Sequence, residues 1–163
     1  MASTHKKVIV RKMDRDSVNG YVAADDFLVG NKVELLNTAG NVVLVDLAEI
    51  KGVYYVREFS EASTLPRKTF TTRPRVEGLW LRLRFRDGET LEGLMPNNLT
   101  LVRPEGYFLN PPDTRGNVQR IFAPRAAVSE LTVLAVIGSA AAKRRRQQVE
   151  AVAPSLFGEL PVE

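Results

Sequence analysis

The sequence predicts a mainly β protein: two tandem, small, strongly bent five-stranded barrels, then a C-terminal helix and a flexible tail. Three observations carry this reading. Short segments alternate apolar and polar residues with period two, as in "LRLRF" at 81–85, which puts one set of side chains on each face of a strand. Turn-forming residues punctuate these segments at short intervals. Two blocks also repeat without gaps: "VIVRKMDRDSVNGY" at 8–21 against "LRLRFRDGETLEGL" at 81–94, and "VVLVDLAEIKGVYYV" at 42–56 against "RIFAPRAAVSELTVL" at 120–134. Such self-similarity marks two like structural units.

Each repeat opens with a strand, a polar turn and a second strand. In this block Arg11 meets Arg84, Asp14 meets Asp87, Val18 meets Leu91 and Gly20 meets Gly93. The two glycines fall inside strand patterns, where a missing side chain permits a sharp bend or a close backbone approach. Next, "NKVELLN" at 31–37 and "NVVLVDL" at 41–47 flank "TAG", a hairpin signal. A short turn carrying Ala48, or Ala126 in the second repeat, leads into the last strand. The second repeat is longer between its blocks, at the Pro- and Asn-rich "PNNLTLVRPEGYFLNPPDTRGN", where an insertion suits a loop. Five short strands suffice for a barrel of the SH3 or OB kind, which hides the edges an open sheet would expose.

The boundaries that follow are 1–57 for the first barrel, 58–78 for a linker or extension, 79–138 for the second barrel and 139–163 for the helix and tail. Residues 58–78 hold Pro66 and Pro74 and few periodic apolar residues. Good helix formers predict a helix over about 139–152, ended by Pro154. The expected core is Val8, Val10, Val18, Val43, Val45, Ile50 and Val53 in the first repeat. In the second it is Leu81, Leu83, Leu91, Ile121, Val128 and Leu131, with Trp80 sealing the barrel. Of the consecutive Tyr54 and Tyr55, one is expected to face the core and the other the exterior.

Composition is that of an ordinary folded protein, 44% hydrophobic and 26% charged. With no cysteine, disulfides and thiolate metal sites are excluded and a cytoplasmic location is expected. No apolar run reaches the ~18–20 residues of a membrane span, so no membrane partner is expected. The net charge of +4 is spread evenly, each of the four segments above carrying about +1.

The first repeat resembles the Sm-like proteins, which include the bacterial Hfq type, over about 50 residues. The likeness lies in an apolar strand, an acidic turn, an apolar residue two before Gly20, and "VVLVDLAEIKGVYYV" as the second Sm motif. The chain is also similar to uncharacterised bacterial tandem modules with V-R-x-x-D-G-x-x-L-x-G and V-D-L-A-x-I-K-x-V-x-x-V segments. This resemblance implies tandem Sm-like barrels. RNA-binding members carry an Asp-x-apolar-Met-Asn run and an Arg-Gly pair; this chain has "DDFLVGN" at 25–31 and "VD" at 45–46, with Ala123 and Pro124 in the second repeat. Neither repeat keeps the family's RNA pocket.

The sequence holds no P-loop, no Gly-x-Gly-x-x-Gly stretch and a single histidine, His5, near the N-terminus. Asp25 and Asp26 suit a turn. No enzyme activity, cofactor or metal is expected. Arg82, Arg84 and Arg86 alternate along one strand, joined by Arg11 and Arg120 as candidate ligand contacts, with Arg103, Arg115 and Arg125 able to add charge. Lys143, Arg144, Arg145 and Arg146 are a candidate tail contact. Alternation alone also explains such a stripe as the wet side of a sheet. Two functional readings result: a non-enzymatic binding or adaptor module whose basic surface contacts RNA, single-stranded DNA or a nucleotide, or a protein-interaction or self-association module without a nucleic-acid role.

Overall fold

The computed structural model describes residues 4–60, 67–113, 115–138, 144 and 147–149. Among them the chain is mainly β. The first repeat contributes β1 (His5–Lys12), β2 (Ser17–Ala23), the two-residue β3 (Leu28–Val29), β4 (Lys32–Asn37), β5 (Val42–Asp46) and β6 (Ile50–Val56). The second contributes β7 (Gly78–Phe85), β8 (Thr90–Met95), β9 (Gly106–Leu109), β10 (Val118–Pro124) and β11 (Val128–Ile137). The repeated sequence blocks therefore become repeated elements. In both repeats a 3-10 turn, Leu47–Glu49 or Arg125–Ala127, precedes the last strand.

The matched aspartates have a common local cause. Asp14 Oδ1 accepts a hydrogen bond from the Asp16 N–H at 2.9 Å, and Asp87 Oδ1 accepts one from the Glu89 N–H at the same distance. Each side chain mimics a backbone turn and reverses the chain between two strands. In the same way Asn37 Oδ1 accepts from the N–H groups of Ala39 and Asn41, closing the β4–β5 hairpin.

Pairing within the first repeat runs β5-β4-β2-β1-β6. The second repeats that order as β10-β9-β8-β7-β11, its β8–β9 step reduced to a bridge in which Leu94 and Asn110 exchange backbone hydrogen bonds of 2.9 and 2.8 Å. The repeats join where β6 pairs antiparallel with β10, setting Val56 opposite Val118, Tyr54 opposite Ile121 and Val53 opposite Phe122. An eight-stranded sheet thus crosses both repeats, beside a three-stranded sheet of β11-β7-β8. Both sheets are open.

Two cores lie on either side of the β1–β6–β10 wall. Val8, Val10, Val33, Leu35, Ile50 and Val53 fill the first, and Phe122 enters it from the second repeat. Leu81, Leu83, Phe85, Leu91, Leu109 and Ile121 fill the second, and Ile9, Tyr54 and Val56 enter it from the first. All the expected core residues pack in one core or the other; Val18, Val43, Val128 and Leu131 are partly buried at the margins.

The shared wall also explains the departures. Tyr54 is 5% exposed and faces the second core, while Tyr55 packs on the first, so neither points to open solvent; the strand is covered on both faces. Trp80, expected to seal a second barrel, does not enter the second core. It lies between the inward Leu79 and Leu81, hence on the outer face, where its Nε1 donates to Glu92 Oε1 at 3.1 Å and Phe70 meets it edge-on. Residues 67–77 lack regular structure as expected, yet they are tied to β8, the Lys68 carbonyl accepting from the Glu92 N–H at 2.7 Å. Of the expected C-terminal helix, Arg144 and residues 147–149 are helical; its remaining residues and the tail lie outside the described residues.

Gly20 and Gly93 occupy equivalent places because their strands approach the next strand too closely for a side chain. A Cβ on Gly20 would lie 2.5 Å from both the Leu36 carbonyl oxygen and Leu35 Cδ1; on Gly93 it would lie 3.1 Å from the Asn110 oxygen and Leu109 Cβ. Overpacking against backbone is costly. Gly20→Ala is expected to lower stability by about 2 kcal/mol and Gly93→Ala by about 1 kcal/mol, measured by urea unfolding; equal or negligible losses would contradict this account of the bend.

Candidate functional site

The five candidate arginines divide among different surroundings. Arg82 and Arg84 are exposed on the outer face of β7, on the side where Trp80 lies. Their neighbours across the sheet are Glu92 and Thr90 on β8, and Thr132 and Glu130 on β11. Arg86 leaves this stripe: it follows the end of β7, its N–H donates to the Ala127 carbonyl at 3.0 Å, and it lines a cavity with Arg125 between the two 3-10 turns. Arg120 lies over the Phe108 ring, 3.9 Å from its centre. That ring belongs to a cluster with Phe27 and Phe122, so these aromatics serve packing between the repeats. Burial there pushes the Tyr55 hydroxyl up to about 12, against the opposing pull of Arg120 and Arg103. Arg144 is exposed and helical, while Lys143, Arg145 and Arg146 lie outside the described residues.

Arg11 belongs to a different place, a cleft of about 690 Å3 between the repeats. One wall is the β1–β2 turn. Arg11 precedes it, its guanidinium 5.3 Å from the centre of the Tyr54 ring, and Lys12 and Arg15 follow along the cleft. The opposite wall is the equivalent turn of the second repeat, with Asp87 and Glu89, and Lys68 from the 67–77 segment.

Lys51 ties these walls together. Its Nζ donates to Asp87 Oδ2 at 2.6 Å and to Glu89 Oε2, and lies 5.1 Å from the centre of the Phe85 ring. Glu89 is also paired with Lys68. Burial alone would lower the Lys51 pKa, but the hydrogen bonds to Asp87 and Glu89 outweigh it and hold the ammonium above its ordinary 10.5. The same bonds hold both carboxyls below their ordinary values. All three groups are charged near neutrality.

Arg15 carries the site's clearest local strain. Its φ is +74°, in the left-handed region, and it is the only non-glycine described residue there. Such a conformation costs about 1 kcal/mol or more for a side-chain-bearing residue. The aligned residue of the second repeat is Gly88, with φ +88°. The turns are otherwise alike: Arg15 N–H donates to the Lys12 carbonyl, and Gly88 N–H to the Phe85 carbonyl.

Sequence reasoning found Arg11 but missed Lys12, Arg15 and Lys51. One signal was present, an arginine aligned with a glycine at a turn position. The rest required the docking of one repeat on the other. Among the described residues no group of three or more histidine, aspartate or glutamate side chains is placed to hold a metal ion, and no helix is long and apolar enough to cross a membrane.

These observations describe a mainly β tandem-repeat protein with a charged cleft where its halves meet. The chain belongs to a family of unknown function, DUF6982, which it matches over residues 4–135. The match spans both repeats. No curated protein and no solved structure matches the chain.

The Lys51 bridge gives a directional test. Because Asp87 and Glu89 have depressed folded pKa values, their contribution is present above the ordinary 3.8 and 4.5 and is lost as pH falls through the lower folded values. Because Lys51 is raised, its contribution is full below 10.5 and is lost as pH rises through the higher folded value. A Lys51→Ala and Asp87→Asn double-mutant cycle is expected to give a coupling of about 0.5–1 kcal/mol at pH 7. Urea unfolding across pH checks it: the coupling should vanish at both extremes, and a pH-independent value would contradict the ion pair.

Proposed function

We propose that the protein is a non-enzymatic protein-interaction and oligomerisation module, built of two small Sm-like barrels and acting in the reducing cytoplasm that a cysteine-free chain suits. One observation carries the reading: the repeats are joined by pairing β6 with β10, while among the described residues the equivalent edges, β5 and β11, pair on one side only. An unpaired edge is a template for another strand. These edges are also apolar: Val42 and Leu44 on β5 are 65% and 51% exposed, and Val133 and Val136 on β11 are 52% and 54% exposed. By the repeat alignment Leu44 is the counterpart of Phe122, which fills a core across the existing junction. The occupant we assign to β5 is β11 of a second molecule, through the antiparallel geometry already used within the chain.

Size-exclusion chromatography with light scattering is expected to give a mass above that of one 18.1 kDa chain, rising with concentration. Leu44→Lys should return the protein to monomer while leaving its far-UV circular dichroism unchanged. A monomer at all concentrations would overturn self-association.

A second reading, contact with RNA or single-stranded DNA, is favoured by Arg82 and Arg84 standing exposed beside the half-buried Trp80. Cationic side chains beside an aromatic ring are the combination that holds phosphates and stacks bases. In anisotropy titrations at several salt concentrations, Arg82→Ala with Arg84→Ala should reduce the salt slope by about 0.7 for each phosphate no longer neutralised. Arg120→Ala should leave the slope unchanged, because Arg120 packs on Phe108. Failure of the unaltered protein to bind at low salt would remove this reading.

A further inference from the structure

We propose that the cleft between the repeats is a binding site for a small phosphate-bearing anion, held by Arg11, Lys12 and Arg15. Charge is the first ground. Asp87 and Glu89 are taken up by Lys51 and Lys68; Arg15 adds only a longer-range attraction to Asp87, and among the described residues no carboxylate is ion-paired with Arg11, Lys12 or Arg15. Three cationic side chains therefore border one cavity of about 690 Å3 without an ion-paired carboxylate of their own. That volume is in the range of small-molecule sites. Arginine suits phosphate especially, since its planar fork donates two parallel hydrogen bonds to phosphate oxygens.

The second ground is the comparison the chain makes with itself. At the positions of Lys12, Arg15 and Lys51 the second repeat has Phe85, Gly88 and Ser129. The turn is the same and needs a left-handed residue in both places; the second repeat meets that need with glycine and the first with arginine. The turn does not need the arginine, because glycine adopts this conformation without the Cβ penalty. What the arginine adds is a guanidinium at the cleft. Local strain of this kind points toward function.

The third ground is rigidity. Arg11 rests on the Tyr54 ring, and Lys51 clamps the far wall through Asp87 and Glu89. The cleft is thus fixed before a ligand arrives, which reduces the ordering cost of binding. This site is separate from the β5 and β11 edges and from the Arg82 and Arg84 face, so its test does not depend on either reading of function.

Isothermal titration calorimetry of the full chain with inorganic pyrophosphate in low-salt buffer tests it. The unaltered protein should bind at one site, and Arg15→Gly should weaken binding about tenfold while leaving the melting temperature unchanged or higher. Arg11→Gln should weaken it similarly, and Arg82→Ala with Arg84→Ala should leave it unchanged. Titration with adenosine diphosphate separates two sources of the same chemistry: affinity no tighter than that of pyrophosphate assigns the bare diphosphate, tighter affinity assigns a nucleotide, and both support the site. No binding by the unaltered protein, undiminished binding by Arg15→Gly, or loss of binding only in the Arg82 and Arg84 variant would each overturn it.

Discussion

The antiparallel pairing of β6 with β10 is the interaction on which the rest of the structure depends. It converts two sheets, each with one face to hide, into one wall with a core on either side. Val53 and Phe122 face one core from this wall, and Tyr54 and Ile121 face the other. A strand buried on both faces reads as a nearly continuous apolar run, and "GVYYV" at 52–56 has that character. Removing the pairing would expose Ile9, Tyr54 and Val56 on one side and withdraw Phe122 from the other. The two cores are therefore not separable pieces.

Much of this is legible in the residues. The repeat blocks identify which strands correspond, and the matched Asp14 and Asp87 and the matched Gly20 and Gly93 do the same work in both halves. Local chemistry determines those features, so local sequence reveals them. Contacts between the repeats are less readable. Alternation predicts an inner and an outer face but does not say whether another unit covers the outer one, which is why it divides Tyr54 and Tyr55 between core and solvent. The cleft is hidden for the same reason: Lys51 and Asp87 are 36 residues apart and meet only when the repeats dock.

The docking also accounts for how the repeats have diverged on one face. Ile9, Arg11 and Met13 in the first repeat align with Arg82, Arg84 and Arg86 in the second. Ile9 is buried in the second core and Met13 packs at its margin, whereas Arg82 and Arg84 are exposed. The same strand position is thus apolar where a neighbour covers it and cationic where none does. Arg11, at the rim of the covered region, keeps its charge and lines the cleft. Divergence between the halves follows burial.

Phe122 has a consequence for the birth of the chain. It is fully buried in the first core, yet it lies 66 residues beyond Val56, the last residue of the first repeat's strands. Synthesis proceeds from the N-terminus at about 5–20 residues per second, so the first half emerges several seconds before the residue that completes its interior. During that interval the β6 edge and the apolar side chains of Ile9, Tyr54 and Val56 are without their covering. The nascent first half is an unfinished body with an adhesive flank, and its maturation is tied to translation of a later stretch of the same message.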